Sequence, residues 1–191
     1  AVAADQPGAK NLLQQIGVSR GLCVVLGDAK CELALKLARQ TELLVYVQLP
    51  NAADVAQARR TVDAAGFYGT RIYVEQGPVT KLHLADDLAD ALVAGGDAAE
   101  MPEAEALRVL HPQGKAILGN KELVKPVLAG VDDWSHPYHG PDNNPLSRDQ
   151  VARAPYLTRF LAEPHYAALP QVAVAAAGRV FKAFGHLAFK E

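Results

Sequence analysis

One stretch near the start of the chain limits the possible folds more than any other. The apolar run Gly21–Leu26 ends at Gly27, and a helical pattern begins shortly afterwards, at Glu32. An apolar run of this kind is typical of a strand that is buried on both faces, and the glycine allows a tight turn into the helix. The N-terminus of a helix then lies at the end of a buried strand, where α/β proteins hold nucleotides. We therefore expect a ligand position at Gly27.

The same alternation of strand and helix continues along the chain. The 3.6-residue period predicts helices over residues 10–16, 32–40, 53–65 and 102–110. Apolar and β-branched runs predict strands over residues 22–26, 43–49, 71–76, 88–94 and 115–118, with a turn at 111–114. Regular alternation predicts an α/β fold, a doubly wound, mostly parallel Rossmann-like sheet with helices on both faces.

The character of the sequence changes after Pro126. Residues 126–150 are rich in Pro, Gly, Asn and Asp, include the only tryptophan, Trp134, and follow no helical or strand period. This composition predicts an ordered loop or linker. Two alternating runs over residues 172–189, around Ala177-Gly178, are typical of a β-hairpin. We predict an α/β domain over 10–125, a linker over 126–150 and a β-rich segment over 151–191.

Charge, hydropathy and cysteine content argue against several classes of function. The net charge of −2 gives no electrostatic case for a nucleic-acid partner. No apolar run approaches the roughly 20 residues of a membrane span. Cys23 and Cys31 are too few for a disulfide framework and lack zinc-site spacing, so we expect free thiols. Because Cys31 precedes a predicted helix, we expect its thiol pKa to be lowered.

Four pieces of residues 20–120 resemble the class I, S-adenosylmethionine-dependent methyltransferases, in the family's order and spacing. They are Val24–Gly27 before a helix, the helix end at 63–66, the strand at 71–77 and the run 107–118 (LRVLHPQGKAIL). The last run is similar to the family's Leu-Arg-Val-Leu-Lys-Pro-Gly-Gly helix, turn and strand. The resemblance implies a cofactor site, and the matching positions are Gly27, Asp28, Ala29, Gln48, Leu49 and Gly77.

The chain departs from the family where that cofactor would bind. Of the three glycines of the family's first motif only Gly27 is present; Ala29 and Cys31 stand at the other two positions, and we expect their Cβ atoms to crowd the approach of the cofactor. Gln48 replaces the carboxylate that accepts the ribose hydroxyls, and Gly77-Pro78 replaces the Gly-Asp pair that holds the adenine amine. The residues after the fourth strand do not resemble an Asn/Asp-Pro-Pro-Tyr catalytic motif. We therefore assign no catalytic residue.

These departures determine the expected function. Losing two or three hydrogen bonds of roughly 1–3 kcal/mol each would weaken the cofactor by about two to six orders of magnitude. We expect a non-catalytic methyltransferase-like domain without a cofactor. It would act as a structural or interaction module, in contact with other protein chains or with the remainder of a longer polypeptide.

Two alternatives stay open. The first is an active S-adenosylmethionine-dependent methyltransferase on an unknown substrate, in which Asp28 or Glu32 replaces the lost carboxylate. The second is a metal- or redox-linked binding module. His136 and His139 are three residues apart with aspartates nearby, and imidazole and carboxylate are ligands for zinc or similar ions.

The two ends of the chain lead to two further expectations. Residues 133–147, followed by 170–184, resemble the entry to a quinoprotein-type (PQQ-like) β-propeller, which needs 4–8 blades of four strands. The resemblance implies either a longer protein or a tail that packs on the sheet or on another chain. Small residues ahead of a polar, Pro-containing stretch over Ala1–Pro7 are typical of the end left by signal peptidase. We expect an exported, periplasmic bacterial protein, although a cytoplasmic location stays open.

Overall fold

The computed structural model describes residues 9–151, 172–176 and 179–183. Most of them form one mixed sheet in the order β3-β2-β1-β4-β5-β6. The first five strands run parallel, and β6 is antiparallel to β5. The strands are β1 (Arg20–Leu26), β2 (Glu42–Leu49), β3 (Ile72–Gln76), β4 (Ala89–Ala94), β5 (Leu110–Leu118) and β6 (Lys121–Val124).

Helices cover both faces of the sheet. They are α1 (Ala9–Ile16), α2 (Glu32–Gln40), α3 (Ala52–Ala64) and α4 (Glu103–Val109), with a 3₁₀ helix over Gly96–Glu100. The side chains of β1 alternate between two cores, as successive residues of a strand must. Cys23 and Val25 pack on the face covered by α1, α2 and α3, whereas Val24 and Leu26 pack on the face of α4. Burial on both faces explains why β1 is apolar throughout its second half.

The predicted fold class is confirmed: the chain has a doubly wound, mostly parallel α/β sheet. The predicted turn at 111–114 is wrong in form, because these residues lie inside β5. Ala89 pairs with Leu110 and Ala91 with Lys115, so β5 bulges between the two pairs. Gln113 in the bulge has a left-handed φ of 69°. The antiparallel β6 and the 3₁₀ helix were not expected from the sequence.

The connection from β3 to β4, residues 77–88, forms no helix and is fixed by side chains instead. Its Leu82 is buried in the core, and the Leu82 amide donates to a carboxylate oxygen of Glu105 at 2.6 Å. Arg108 donates to Glu105 at 2.7 Å and to the carbonyl oxygens of Leu82 and Leu84 at 3.1 and 2.9 Å. The α4 pair Glu105–Arg108 therefore holds the middle of this loop against the face of the sheet that α4 covers.

The chain divides into two compact units, residues 1–126 and 127–191. The second unit contains an antiparallel hairpin of β7 (Val172–Ala176) and β8 (Arg179–Ala183). Trp134 adds to this hairpin, because its backbone N–H and carbonyl both bond with Ala175 at 2.7 Å. The predicted turn residues Ala177-Gly178 lie outside the described residues. No helix in the described part of the chain is long and apolar enough to cross a membrane.

Candidate functional site

A cavity of about 430 Å³ opens at the carboxyl ends of β1, β2 and β4. The chain crosses over between β1 and β4 in the sheet order, which is the point where open α/β sheets bind ligands. The volume lies within the roughly 300–1,000 Å³ of small-molecule sites. The cavity is lined by Gly27, Ala29, Leu49, Pro50, Asp54, Val79, Gly95, Gly96, Asp97 and Ala98.

The base of the cavity is formed by two backbone segments that cross closely. Gly27 has a left-handed φ of 78°, and a Cβ there would collide with the carbonyl oxygen of Gly95. The Gly95 amide in turn donates to the carbonyl of Leu26 at 3.1 Å. Glycine is therefore required at position 27 for both conformational and steric reasons.

Cys31, at a position where the resemblance implies a glycine, has a left-handed φ of 56°. Its side chain is fully buried in the core under α2 and does not line the cavity. The expected crowding of the ligand position by Cys31 is therefore wrong. The expected lowering of its pKa is also wrong, because burial and then the charge of Asp28 raise the pKa of the Cys31 thiol to about 12.

Asp28 binds the N-terminus of α2. One carboxylate oxygen accepts from the Glu32 amide and the other from the Ala34 amide, both at 2.9 Å. Burial raises the pKa of Asp28, and these backbone hydrogen bonds act in the opposite direction. The positive end of the helix is thus occupied by the chain's own carboxylate. Both oxygens of Asp28 already have partners, which leaves it poorly suited to replace a ribose-binding carboxylate.

Gln48 uses its whole side-chain amide inside the protein. The side chain is fully buried, and its Oε1 accepts from the Tyr46 hydroxyl at 2.9 Å and from the His83 amide at 3.0 Å. Its Nε2 donates to the carbonyls of Pro78 and Lys81 at 2.7 and 2.9 Å. Gln48 therefore fixes the β3–β4 loop to the end of β2.

Gly77 is required beside this amide, and Tyr46 is fixed by it. A Cβ at Gly77 would lie 2.7 Å from the Nε2 of Gln48. The Gly77 amide donates to the Leu49 carbonyl at 3.0 Å, which joins the end of β3 to that of β2. Burial raises the pKa of the Tyr46 hydroxyl to about 12, so this hydroxyl is a neutral donor to Gln48 at physiological pH.

The structure separates the six positions expected to form the cofactor site. Gly27, Ala29 and Leu49 line the cavity, whereas Asp28, Gln48 and Gly77 do not. Sequence reasoning missed the two carboxylates in the lining, Asp54 and Asp97. Each lies in the first turn of a helix, where an aspartate is common for reasons of local stability, so the sequence carried no distinct signal for either.

His136 and His139 pair with each other through their backbones, with N···O distances of 3.2 and 3.1 Å. The His139 ring is buried and packs edge-on against Trp134. Its Nε2 lies 2.6 Å from the Asp132 carboxylate, and its Nδ1 lies 3.2 Å from the Asn144 carbonyl oxygen. Within the residues that the structure describes, no group of three or more His, Cys, Asp or Glu side chains could hold a metal ion. A metal site there stays a prediction.

The first unit is similar in fold to solved methyltransferases. No family model and no curated protein matches this chain. A candidate S-adenosyl-L-methionine-dependent methyltransferase from Methanococcus maripaludis matches with a TM-score of 0.53 and 24% identity, over 56% of this chain and 51% of that protein. The 4+2 cyclase SpnF matches with a TM-score of 0.51 and 23% identity, over 56% of this chain and 41% of SpnF.

A third match is geranyl diphosphate C-methyltransferase from Streptomyces coelicolor, solved with S-adenosyl-L-homocysteine. Its TM-score is 0.52 and its identity 13%, over 56% of this chain and 41% of that enzyme. This chain thus spans about half the length of these proteins or less, and identities this low concern the fold. Residues 9–126 have the Rossmann-like fold of the class I S-adenosylmethionine-dependent methyltransferases.

Proposed function

We propose that residues 9–126 form a methyltransferase-like domain that neither binds S-adenosylmethionine nor transfers methyl groups. It serves as a structural or interaction module of a longer, exported protein. The observation that carries this proposal is that the side-chain amide of Gln48 is fully used in hydrogen bonds within the protein. At the position where the resemblance requires a ribose-binding carboxylate, the chain has a buried amide with four internal hydrogen bonds.

The missing polar groups are sufficient to abolish useful affinity. A hydrogen bond to a charged group contributes about 1.5–3 kcal/mol. Losing the ribose carboxylate at position 48 and the adenine-binding carboxylate at position 78 removes two such groups. The combined loss of about 3–6 kcal/mol corresponds to two to four orders of magnitude in Kd. Pro78 cannot substitute through its backbone, because it has no N–H and its carbonyl already accepts from Gln48.

The similarity to SpnF supports a role other than methyl transfer. That protein is described as a cyclase, so proteins of this fold are not confined to one reaction. The fold of residues 9–126 therefore does not by itself argue for methyltransferase activity.

The second unit supports the role of a module in a longer protein. Val180 and Phe181, neighbours on β8, are 64% and 56% exposed although their side chains point to opposite faces of the hairpin. Trp134 already extends the β7 side, and in the described part of the chain no strand pairs with the other edge of β8. A hairpin alone is marginally stable in water, and strands that pair with β8 or pack on its faces would stabilise it. We propose that they come from a β-propeller-like continuation or from another chain.

Calorimetric titration of the full 191-residue chain with S-adenosylmethionine and S-adenosylhomocysteine tests the domain's function. We expect no saturable heat up to about 1 mM, because the loss of about 3–6 kcal/mol raises the Kd by two to four orders of magnitude. A micromolar Kd would contradict the proposal. Ala29→Trp, which fills the cavity, and Ala53→Trp, on the exposed side of α3, show whether any heat arises in the cavity.

An active methyltransferase is the second candidate, because the cavity at Gly27 and Gly95 remains open. The Streptomyces coelicolor enzyme of this fold holds S-adenosyl-L-homocysteine. Incubation of a bacterial extract with labelled S-adenosylmethionine and the chain discriminates the two candidates. Labelled product that depends on the chain and is abolished by Ala29→Trp would favour the enzyme. No labelled product is the result we expect.

A further inference from the structure

We propose that the cavity at the carboxyl edge of the sheet binds a small organic cation between Asp54 and Asp97. The class comprises quaternary ammonium and protonated amine groups with apolar substituents. This inference rests on the proposed function, because a cavity that does not hold S-adenosylmethionine is free for another ligand.

The composition of the walls defines this class. Five of the lining side chains are apolar: Ala29, Leu49, Pro50, Val79 and Ala98. The lining includes two charged side chains, both carboxylates, and among the described residues that form it there is no Lys, Arg or His. Apolar walls with carboxylates suit a cation that has an apolar body, as most small-molecule sites combine apolar surface with a few oriented polar groups.

The two carboxylates keep their negative charge available. Asp54 accepts a hydrogen bond from the neutral Nδ2 of Asn51 at 3.1 Å. Neither Asp54 nor Asp97 forms an ion pair with a basic side chain in the part of the chain that the structure describes. The two carboxylates line the same cavity and carry like charges, which repel each other. A cation between them relieves this repulsion.

The neighbouring helix strengthens the discrimination against anions. The N-terminus of α2, the usual place for a phosphate in this type of fold, is already bonded to both oxygens of Asp28. Lys30 follows Ala29 in the chain but does not line the cavity. Among the described lining residues, a nucleoside phosphate would meet two carboxylates and no basic side chain, which disfavours it as a ligand.

Three probes of similar shape and different charge test the proposal. They are choline (+1), 3,3-dimethylbutan-1-ol (neutral) and 3,3-dimethylbutanoate (−1), titrated into the ¹⁵N-labelled full chain at low ionic strength. Amide shifts of Gly27, Gly95 and Gly96 report binding in the cavity. We expect choline to bind at least about tenfold more tightly than the alcohol, and the acid not to bind, with the ratio falling as salt is added.

Variants assign the effect to the two carboxylates. Asp54→Asn and Asp97→Asn should each lower the ratio of choline affinity to alcohol affinity, and the double variant should bring this ratio close to one. Asp63→Asn, exposed further along α3, is the matched control and should leave the ratio unchanged. Equal binding of all three probes, tightest binding of the acid, no binding of any probe, or a ratio that survives the double variant would overturn the proposal.

A titration with S-adenosylmethionine in the same series separates the two proposals. Micromolar binding of that compound refutes the proposed function, while the choline ratio still decides the cation site. Absence of both kinds of binding refutes the cation site and leaves the proposed function standing.

Discussion

Replacing Gln48 by glutamate tests whether this residue is structural. Gln48→Glu keeps the shape of the side chain but replaces the Nε2 group that donates to Pro78 and Lys81. The oxygen that accepts from Tyr46 and His83 is retained. At neutral pH, two carbonyl oxygens would then face a negatively charged oxygen with no proton between them.

The expected loss of stability follows from this geometry. The Lys81 carbonyl loses its side-chain partner, whereas the Pro78 carbonyl keeps the Lys81 amide at 3.3 Å; one acceptor left without a partner costs about 1–3 kcal/mol, so we expect a loss of at least about 1–3 kcal/mol at pH 7. The site is fully buried, so both desolvation and the carbonyls raise the folded-state pKa of the new carboxyl group above its unfolded value of about 4.3. The destabilisation is therefore smallest below about pH 4 and grows as pH rises through the folded-state pKa.

Urea unfolding followed by circular dichroism at pH 5 and pH 7 measures both the loss and its pH dependence. Gln76→Glu makes the same chemical change at the exposed end of β3, where the side chain bonds only the Pro50 carbonyl at 3.3 Å. We expect that control to lie within about 0.5 kcal/mol of the natural protein. If Gln48→Glu also changes the free energy of unfolding by no more than about 0.5 kcal/mol at pH 7, Gln48 does not hold the β3–β4 loop as we describe.

Three further predictions concern the surroundings of the site. Asp28→Ala should cost about 1 kcal/mol in urea unfolding, because two amides of α2 lose their cap, and an unchanged midpoint would contradict this. Cys23 and Cys31, whose thiol pKa values burial raises to about 12, should not react with a thiol reagent at pH 8 in the folded chain. Rapid labelling at pH 8 would refute this. The free energy of unfolding should also fall above about pH 9, where the thiols ionise in the unfolded chain but not yet in the folded one. Glu105→Ala should cost about 1–3 kcal/mol because the buried Leu82 amide loses its acceptor, while Arg108 keeps its ion pair with Asp86 at 2.6 Å; proteolysis within the β3–β4 loop should increase, and an unchanged cleavage rate would argue against this role.

The sheet could be predicted from the sequence because its signals are local. A strand covered on both faces must be apolar throughout, and a helix on the sheet must repeat its apolar residues every 3.6 positions. The helix of residues 32–40 begins and ends as its spacing predicts. The bulge in β5 was interpreted as a turn, since His111-Pro112-Gln113-Gly114 has turn composition and only pairing with β4 shows that the strand continues through it.

The site was less predictable because its contacts are long-range. That Gln48 lacks the charge of a ribose-binding residue is visible in the sequence. Its partners are not, since Pro78 and Lys81 lie 30 and 33 residues further along the chain. The direction of the Cys31 side chain depends on one left-handed residue. Asp54 and Asp97 are ordinary first-turn residues in the sequence, and only the cavity brings them to one place.

The central claim, that the β3–β4 loop and not a ligand holds Gln48, is tested most directly by the side-chain amide of Gln48 in ¹H–¹⁵N spectra of the full chain. We predict that its two protons exchange slowly with solvent, because Pro78 and Lys81 accept both of them. We also predict that their shifts do not change on addition of S-adenosylhomocysteine to about 1 mM. Fast exchange, or a saturable shift of Gln48 together with Gly27 and Gly77, would contradict the account.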